Sequence, residues 1–103
     1  MSKETTVKEV STQELVSVFK GKYVNVSPTD RYGISINMYH ATLEYEEENS
    51  ELWFVSRDSE DKIISSICID EDSIENIEAY DDGTYTVNFL LNMTSVDISE
   101  SAV

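Results

Sequence analysis

Cysteine, proline and glycine are all scarce in this chain of 103 residues, which has one cysteine, one proline and three glycines. Because Cys68 is the only cysteine, no disulfide can form within the chain. The glycines are isolated, so none belongs to a glycine-rich phosphate-binding loop. These absences also leave no room for a flexible linker, and they favour a single folded domain.

Long apolar runs and histidine are equally scarce. The longest apolar runs are three or four residues, far short of the roughly 20 that a membrane helix needs, and the first residues lack the apolar segment of a signal peptide. We therefore expect a cytoplasmic protein with no membrane contact. His40 is the only histidine, and together with the single cysteine it supplies too few ligands for a zinc site. We expect no cofactor, no metal and no enzyme activity.

Positive charge is nearly absent after the first third of the chain. Residues 1–31 hold five of the seven basic residues and four acids, whereas residues 32–103 hold only Arg57 and Lys62 against 17 acids. The formal net charge is −14. Such a surface repels nucleic acid and anionic membranes and attracts basic protein surfaces. Direct binding of nucleic acid is therefore not expected.

A short helix is predicted over residues 12–20. Ser11 and Glu14 have the spacing of a capping box, in which each side chain accepts a hydrogen bond from the other residue's backbone N–H. Gly21 follows, where a left-handed residue often ends a helix. A helix of nine residues is not stable alone in water, so it must pack on the rest of the chain.

The remaining chain alternates apolar and polar residues in short segments, as strands do. The apolar phase shifts between Tyr39 and Thr42, which predicts a bulge or bend there. The segment 52–55 is apolar on both faces and is predicted to be a central strand. In the apolar segment 63–69 we expect Cys68 to be a small buried residue.

One hairpin can be assigned a register. A three-residue loop with Gly83 in the left-handed conformation places Ile77 opposite Val87 and Ala79 opposite Tyr85, which sorts the apolar side chains onto one face. Residues 10–100 are therefore predicted to form one α+β domain between flexible ends at 1–9 and 101–103. Its short N-terminal helix packs on a strongly bent antiparallel sheet or small open barrel of five to seven strands.

Acidic residues cluster in or beside the predicted turns. Residues 44–51 contain five glutamates, a second group lies at 58–61, and a third extends from 70 to 82. Aromatic residues of the kind found in interface hot spots lie near the first group. The partner-binding residues that this pattern predicts are Glu44, Glu46, Glu47, Glu48, Glu51, Asp70, Glu71 and Asp72, with Trp53 and Tyr45 as anchors.

These observations predict a non-catalytic protein that binds a basic protein surface, such as that of a DNA- or RNA-binding protein. In size and charge the chain resembles the small acidic inhibitors of phages and mobile elements. Those proteins block restriction, CRISPR or other DNA-handling proteins, often by mimicking nucleic acid. The resemblance is one of composition and includes no motif. The alternative is a small structural or adaptor domain, oligomeric or not, whose acidity serves solubility alone.

Self-repulsion among so many acids should make the stability of the fold depend on salt. We expect the melting temperature to rise between low and moderate ionic strength, because added ions screen repulsion between exposed carboxylates. Thermal melts monitored by circular dichroism at several salt concentrations provide the measurement. A flat or falling trend would contradict this expectation.

Overall fold

The computed structural model describes residues 7–29, 37–90 and 95–101. Within these ranges there are eight strands, one α-helix and one short 3-10 helix. In chain order the elements are β1 (Val7–Val10), α1 (Thr12–Phe19), β2 (Tyr23–Thr29), β3 (Met38–Glu46), β4 (Glu51–Arg57), β5 (Ile63–Asp70), the 3-10 helix (Glu71–Ser73), β6 (Ile74–Tyr80), β7 (Tyr85–Phe89) and β8 (Ser95–Glu100).

The strands form one antiparallel sheet in the order β1-β6-β7-β8-β2-β3-β4-β5. The predicted combination of a short helix and an antiparallel sheet is confirmed. The strand count of five to seven is wrong for the described residues, which form eight strands in a sheet that does not close. The additional strand is β1, whose four residues Val7-Lys8-Glu9-Val10 are mostly exposed and do not alternate between apolar and polar.

The predicted flexible ends need one correction. Residues 7–9 belong to β1, where Val7 pairs with Tyr80 and Val10 with Ile77, so regular structure begins before the expected boundary at residue 10. At the other end, the N–H of Ser101 donates to the carbonyl of Tyr23 at 2.8 Å. Residues 1–6 and 102–103 lie outside the described residues.

Helix α1 begins and ends as its sequence predicts. The hydroxyl of Ser11 accepts a hydrogen bond from the Glu14 N–H at 3.1 Å. The helix ends in a turn closed by the Lys22 N–H and the Phe19 carbonyl, with Gly21 at φ 76°. Lys20 has φ −60° and ψ 125°, so this is a type II turn, which needs a positive φ at its third residue.

The predicted bulge is present at His40 in β3. Val24 pairs with Ala41 and Val26 with Met38, so β3 has one more residue than β2 across this interval. His40 has φ 57°, and its N–H donates to the Asn25 side-chain oxygen at 3.1 Å. The extra residue explains the shift of apolar phase in the sequence. Ile34 and Ile36, which precede Met38 at the same two-residue spacing, lie outside the described residues.

The predicted register of the β6–β7 hairpin is confirmed. Ile77 pairs with Val87, Ala79 with Tyr85 and Glu78 with Thr86. Gly83 has φ 90°, and the Tyr80 N–H donates to the Thr84 carbonyl across the loop at 2.9 Å. A left-handed residue at the end of a three-residue loop matches the right-handed twist of the strands.

Strand β2 contains the one proline of the sequence. Proline is disfavoured inside a sheet, yet β2 continues to Thr29, and Pro28 pairs with Val96 of β8. Among the described residues, the pairing of β2 with β3 ends at Val26 and Met38. Proline has no N–H to donate, and it is accommodated where only one side of a strand is paired.

The sheet curls because β5 and β6 are joined by only three residues. The seven strands from β6 round to β5 would span roughly 29 Å if they lay flat at their usual spacing. Four chain steps from Asp70 to Ile74 cover at most about 14 Å. The end of β5 and the start of β6 therefore approach each other, which gives the sheet an inner and an outer face.

The inner face and helix α1 enclose a single apolar core. The ring of Phe19 packs edge-on against Tyr85, with centroids 5.2 Å apart. Leu15, Leu52 and Phe54 are fully buried. The whole cluster consists of Leu15, Phe19, Val24, Val26, Met38, Ala41, Leu43, Leu52, Phe54, Ile69, Ile77, Val87, Val96 and Ile98. In the described part of the chain, no helix is long and apolar enough to cross a membrane.

Truncating Leu15 tests whether helix α1 packs on the sheet through this side chain. The substitution Leu15→Ala should cost about 2–5 kcal/mol of unfolding free energy, because the side chain is fully buried and its loss leaves a cavity. Val18 is a matched control on the same helix, since its side chain is 39% exposed, and Val18→Ala should change stability by no more than about 0.5 kcal/mol. Urea unfolding of the two variants makes the comparison. Equal effects would show that α1 does not dock through Leu15.

Candidate functional site

Three carboxylates stand in one row on the outer face of the sheet. Glu46 of β3 pairs with Glu51 of β4, which in turn pairs with Asp70 of β5. The neighbouring pairs Tyr45–Leu52 and Leu52–Ile69 belong to the inner face, where Leu52 and Ile69 are buried. Because side chains alternate between faces, the acids of this row face outward together.

The hydrogen-bond pattern places two of these acids especially close. The N–H of Glu71 donates to the carbonyl of Ser50 at 2.9 Å. Since bonded and non-bonded pairs alternate along an antiparallel ladder, Glu51 and Asp70 form a non-hydrogen-bonded pair. Such pairs bring their α-carbons to about 4.5 Å, closer than bonded pairs. Like charges in this position lower the stability of a sheet.

A second row runs beside the first and contains the predicted anchor Trp53. It consists of Glu44, Trp53 and Cys68, one from each of β3, β4 and β5. The indole N–H of Trp53 donates to one oxygen of Glu51 at 3.4 Å, and the thiol of Cys68 donates to the other at 3.5 Å. Both contacts link the second row to the central acid of the first.

Cys68 is exposed, so its predicted burial is wrong. The sequence showed an apolar strand but gave no sign that β5 lies at the edge of the sheet, where only one neighbour covers it. Partial desolvation of the sulfur and the hydrogen bond to Glu51 raise the pKa of the Cys68 thiol. A raised pKa leaves less of the reactive thiolate at neutral pH.

Glu44 is the one acid of these two rows whose charge is neutralised within the described residues. Its carboxylate accepts hydrogen bonds from Arg57 and from the Thr42 hydroxyl, each at 2.8 Å. The Arg57 bond is the main reason that the pKa of Glu44 lies below its usual value. In the described ranges, no lysine or arginine forms an ion pair with Glu46, Glu51 or Asp70.

The remaining predicted residues surround the end of the first row. Glu47 and Glu48 are exposed in the turn between β3 and β4. Glu71 and Asp72 follow Asp70 in the 3-10 helix, where Asp70 caps the turn by accepting from the Asp72 N–H at 3.0 Å. The first acidic group and the beginning of the third are therefore brought together at one end of the β3–β4–β5 surface.

Tyr45 does not lie on this outer surface. It pairs with buried Leu52 and packs against the core. Its hydroxyl donates to the Glu71 carboxylate at 2.6 Å, and this bond is the main reason that the pKa of Tyr45 is raised. Tyr45 thus holds the 3-10 helix against the sheet end, and it is poorly placed as an exposed anchor.

The other acids lie elsewhere. Asp58, Glu60 and Asp61 occupy the turn between β4 and β5, at the opposite end of this hairpin from Glu51 and Asp70. Asp58 accepts from the N–H groups of Glu60 and Lys62, at 2.9 and 3.0 Å, so its carboxylate organises the turn. Glu78 lies on β6, beyond the curl of the sheet, and accepts from Asn88 at 2.8 Å. The three acidic groups do not all converge.

Sequence reasoning missed a pocket at the bulge. It has a volume of about 390 Å³, and its walls include Tyr23, His40, Thr42, Val55 and Arg57. The rings of Tyr23 and His40 stack with centroids 3.7 Å apart, and a His40 ring nitrogen lies 3.5 Å from the Ser101 hydroxyl. The phase shift predicted the bulge, but a local pattern cannot show which distant residue stacks on His40.

Metal coordination has no support in the described ranges, where no group of three or more histidine, cysteine or acidic side chains is placed to hold an ion. Comparison with known proteins adds no family to this picture: no protein-family model, no curated protein and no solved structure matches the chain.

Removing the central charge of the row should stabilise the fold. Glu51→Gln is expected to raise the unfolding free energy by about 0.2–1 kcal/mol at low salt, because the like-charge contacts with Glu46 and Asp70 disappear. Glutamine can still accept the hydrogen bond from Trp53. The melting temperature should rise by a few degrees.

Glu48→Gln is the matched control, since it removes one charge from the exposed turn without a cross-strand neighbour. It should have a smaller effect. Thermal melts of both variants at low and high salt make the test, and the difference should shrink as salt is added. A Glu51→Gln protein no more stable than the Glu48→Gln protein would argue against close contacts within the row.

Proposed function

We propose that this chain is a non-catalytic protein-binding module. The acidic surface consists of Glu44, Glu46, Glu47, Glu48, Glu51, Asp70, Glu71 and Asp72 around Trp53. It docks on the basic surface of a DNA- or RNA-binding protein and occupies the site of the nucleic acid, as an acidic mimic would. The proposed location is the cytoplasm.

The observation that supports this proposal is the row of Glu46, Glu51 and Asp70. Neighbouring strands lie about 4.8 Å apart, so the row sets carboxylates at short, regular intervals across the sheet. No cation of the described residues neutralises them. A lysine- or arginine-lined channel built to hold phosphates would meet a comparable series of negative charges.

Electrostatics and the exposed face of Trp53 have different roles in this proposal. The net charge of −14 steers a basic partner and speeds association, and this effect weakens as salt rises. Trp53 is half-buried on the same face, so part of its ring remains available to a partner. Tryptophan and arginine are typical of interface hot spots, and an arginine of the partner can contact both the ring and Glu51.

A second candidate is a small structural or adaptor domain that associates through its sheet edge, with acidity serving solubility. One observation favours it. Ile63 and Ile64, at the start of the edge strand β5, are 60% and 66% exposed. Exposed isoleucines on an edge strand are unusual in a soluble monomer unless the edge is used for association.

Capture from a bacterial lysate tests the first proposal. The immobilised chain should retain nucleic-acid-binding proteins at low salt, release them in a salt gradient, and lose them when duplex DNA is added as competitor. The variant Glu46→Gln/Glu51→Gln/Asp70→Asn should retain much less, because it removes the whole row with little change in side-chain volume.

The matched control is Glu9→Gln/Glu60→Gln/Glu75→Gln, which removes three exposed acids outside the site and reaches the same net charge. It should retain nearly as much protein as the unmodified chain. Equal retention by the two triple variants would show that only net charge matters. Retention that DNA does not compete would reject nucleic-acid mimicry.

A further inference from the structure

The pocket at the bulge lies on the same face of the sheet as the acidic surface. Tyr23 pairs with Thr42, and Thr42 pairs with Val55, so these three residues form one cross-strand row. Leu43 and Phe54, which follow and precede members of this row in the chain, are buried in the core, so alternation turns the row outward. The row lies two residues along each strand from the second acidic row, a distance of about 7 Å.

Val55 gives the pocket an apolar wall. Its side chain is only 5% exposed although it belongs to the outer face, and it is not part of the core cluster. The pocket volume of about 390 Å³ lies within the roughly 300–1,000 Å³ of sites that hold small molecules. Such sites combine apolar walls with a few fixed polar groups. The pocket therefore has room for a side chain that has both an apolar and a polar part.

The aromatic wall of the pocket is held in place by the bulge. The rings of Tyr23 and His40 are 11° from parallel, with centroids 3.7 Å apart. The bond from the His40 N–H to Asn25 and the contact of its ring with Ser101 fix the histidine. This stack covers one face of the tyrosine ring, yet Tyr23 is still 49% exposed. The other face of the ring is therefore available to a planar cation.

The charges around the pocket favour a cation over an anion. Arg57, Asp58 and Asp61 line the pocket, and Glu44 borders it through its 2.8 Å contact with Arg57. Among these residues, three carboxylates surround one guanidinium group, so the local charge is negative. Asp61 lies 3.8 Å from Arg57 and its side chain is 92% exposed, so this ion pair is weak and leaves the carboxylate accessible.

The turn between β4 and β5 fixes the position of Asp61 at the pocket. The Asp61 N–H donates to the Asp58 carbonyl at 3.0 Å. Asp61 has φ 66° and His40 has φ 57°, and they are two of the three non-glycine residues with positive φ in the described ranges. Such conformations persist where the surrounding structure imposes them, and they are frequent at binding sites. The aromatic and the carboxylate walls are thus both formed before a ligand arrives.

An arginine side chain matches these walls better than a lysine side chain does. Its methylene groups pack on apolar surface, its planar guanidinium stacks on aromatic rings, and its N–H fork binds carboxylates. The ammonium of lysine is compact and strongly hydrated, and it has no plane to stack. In this pocket the arginine stem contacts Val55, its plane covers the free face of Tyr23, and its fork binds Asp61.

We propose that this pocket is an arginine-binding site that receives a side chain of the basic partner. The inference rests on the proposed function, because it names a residue type by which that partner is held. The pocket continues the acidic surface beyond Glu44, so a partner that covers the acidic rows also reaches it. The acidic rows attract any basic surface, whereas the pocket selects arginine over lysine.

Titration of the full chain with Nα-acetyl-arginine amide, followed by nuclear magnetic resonance, tests the pocket. We expect saturable shift changes at Tyr23, His40 and Asp61, with the millimolar dissociation constant of a single side chain. The citrulline derivative has the same shape without the charge, and it should bind about fivefold more weakly. The lysine derivative should also bind more weakly. Equal binding of the arginine and citrulline derivatives, or shifts confined to the acidic rows, would overturn the proposal.

Two pairs of variants locate the site. Tyr23→Leu removes the ring and should weaken binding of the arginine derivative about two- to fivefold, whereas Tyr39→Leu changes an exposed tyrosine outside the pocket and should not. Asp61→Asn removes the charge at a position where asparagine tolerates positive φ, and it should weaken binding by about the same factor. Glu60→Gln, in the same turn but outside the pocket, should not. Equal effects within either pair would also overturn the proposal.

Failure of this inference can be distinguished from failure of the docking proposal. If DNA-competed retention from the lysate persists while the chain does not prefer the arginine derivative, the pocket is not an arginine site and the docking proposal stands. If the chain prefers the arginine derivative while DNA does not compete with the retained proteins, nucleic-acid mimicry is rejected and the arginine site stands.

Discussion

The short connection between β5 and β6 is the constraint on which the rest of the structure depends. These strands are neighbours in the chain but lie near opposite ends of the sheet order, and only Glu71–Ser73 separate them. The sheet must curl for three residues to bridge them. Curling creates a concave face that helix α1 covers, and a convex face that nothing in the described residues covers. The hydrogen bond from Tyr45 to Glu71 helps hold this connection against the sheet end.

The charged side chains of these strands lie on the convex face of the sheet. Burying a carboxylate without a partner is costly, so alternation along β3, β4 and β5 sends Leu52, Phe54 and Ile69 inward and the acids outward. The same alternation sets Glu46, Glu51 and Asp70 side by side. Their mutual repulsion opposes folding, while apolar burial on the other face of the same strands favours it. The acidic surface is therefore a product of the fold that a cationic partner would stabilise.

Local patterns in the sequence predicted the local structure well. The capping box placed α1, the phase shift placed the bulge at His40, and the sorting of faces fixed the register around Gly83. Each of these features depends on residues close together in the chain, where propensity and alternation are strong. The helix-and-sheet class follows from the same signals.

Features that depend on distant pairing were not predictable in this way. Alternation shows that a segment is a strand but not which strands flank it, so the apolar segment containing Cys68 looked buried although β5 is an edge. Strand β1 has no apolar alternation, and only its pairing with β6 identifies it. The acidic groups could be found in the sequence, whereas their partial convergence depended on the registers of β3, β4 and β5. Nothing in the sequence around Tyr23 or His40 predicts that their rings stack.

The register that unites the acidic row can be measured directly in solution. Non-hydrogen-bonded pairs of antiparallel strands bring their α-protons together, so nuclear Overhauser spectra should show cross-strand Hα–Hα contacts between Glu51 and Asp70 and between Trp53 and Cys68. A shift of β5 by one residue would turn Asp70 to the other face and separate it from Glu51. Contacts of Glu51 with Ile69 in place of Asp70 would contradict the acidic surface described for this protein.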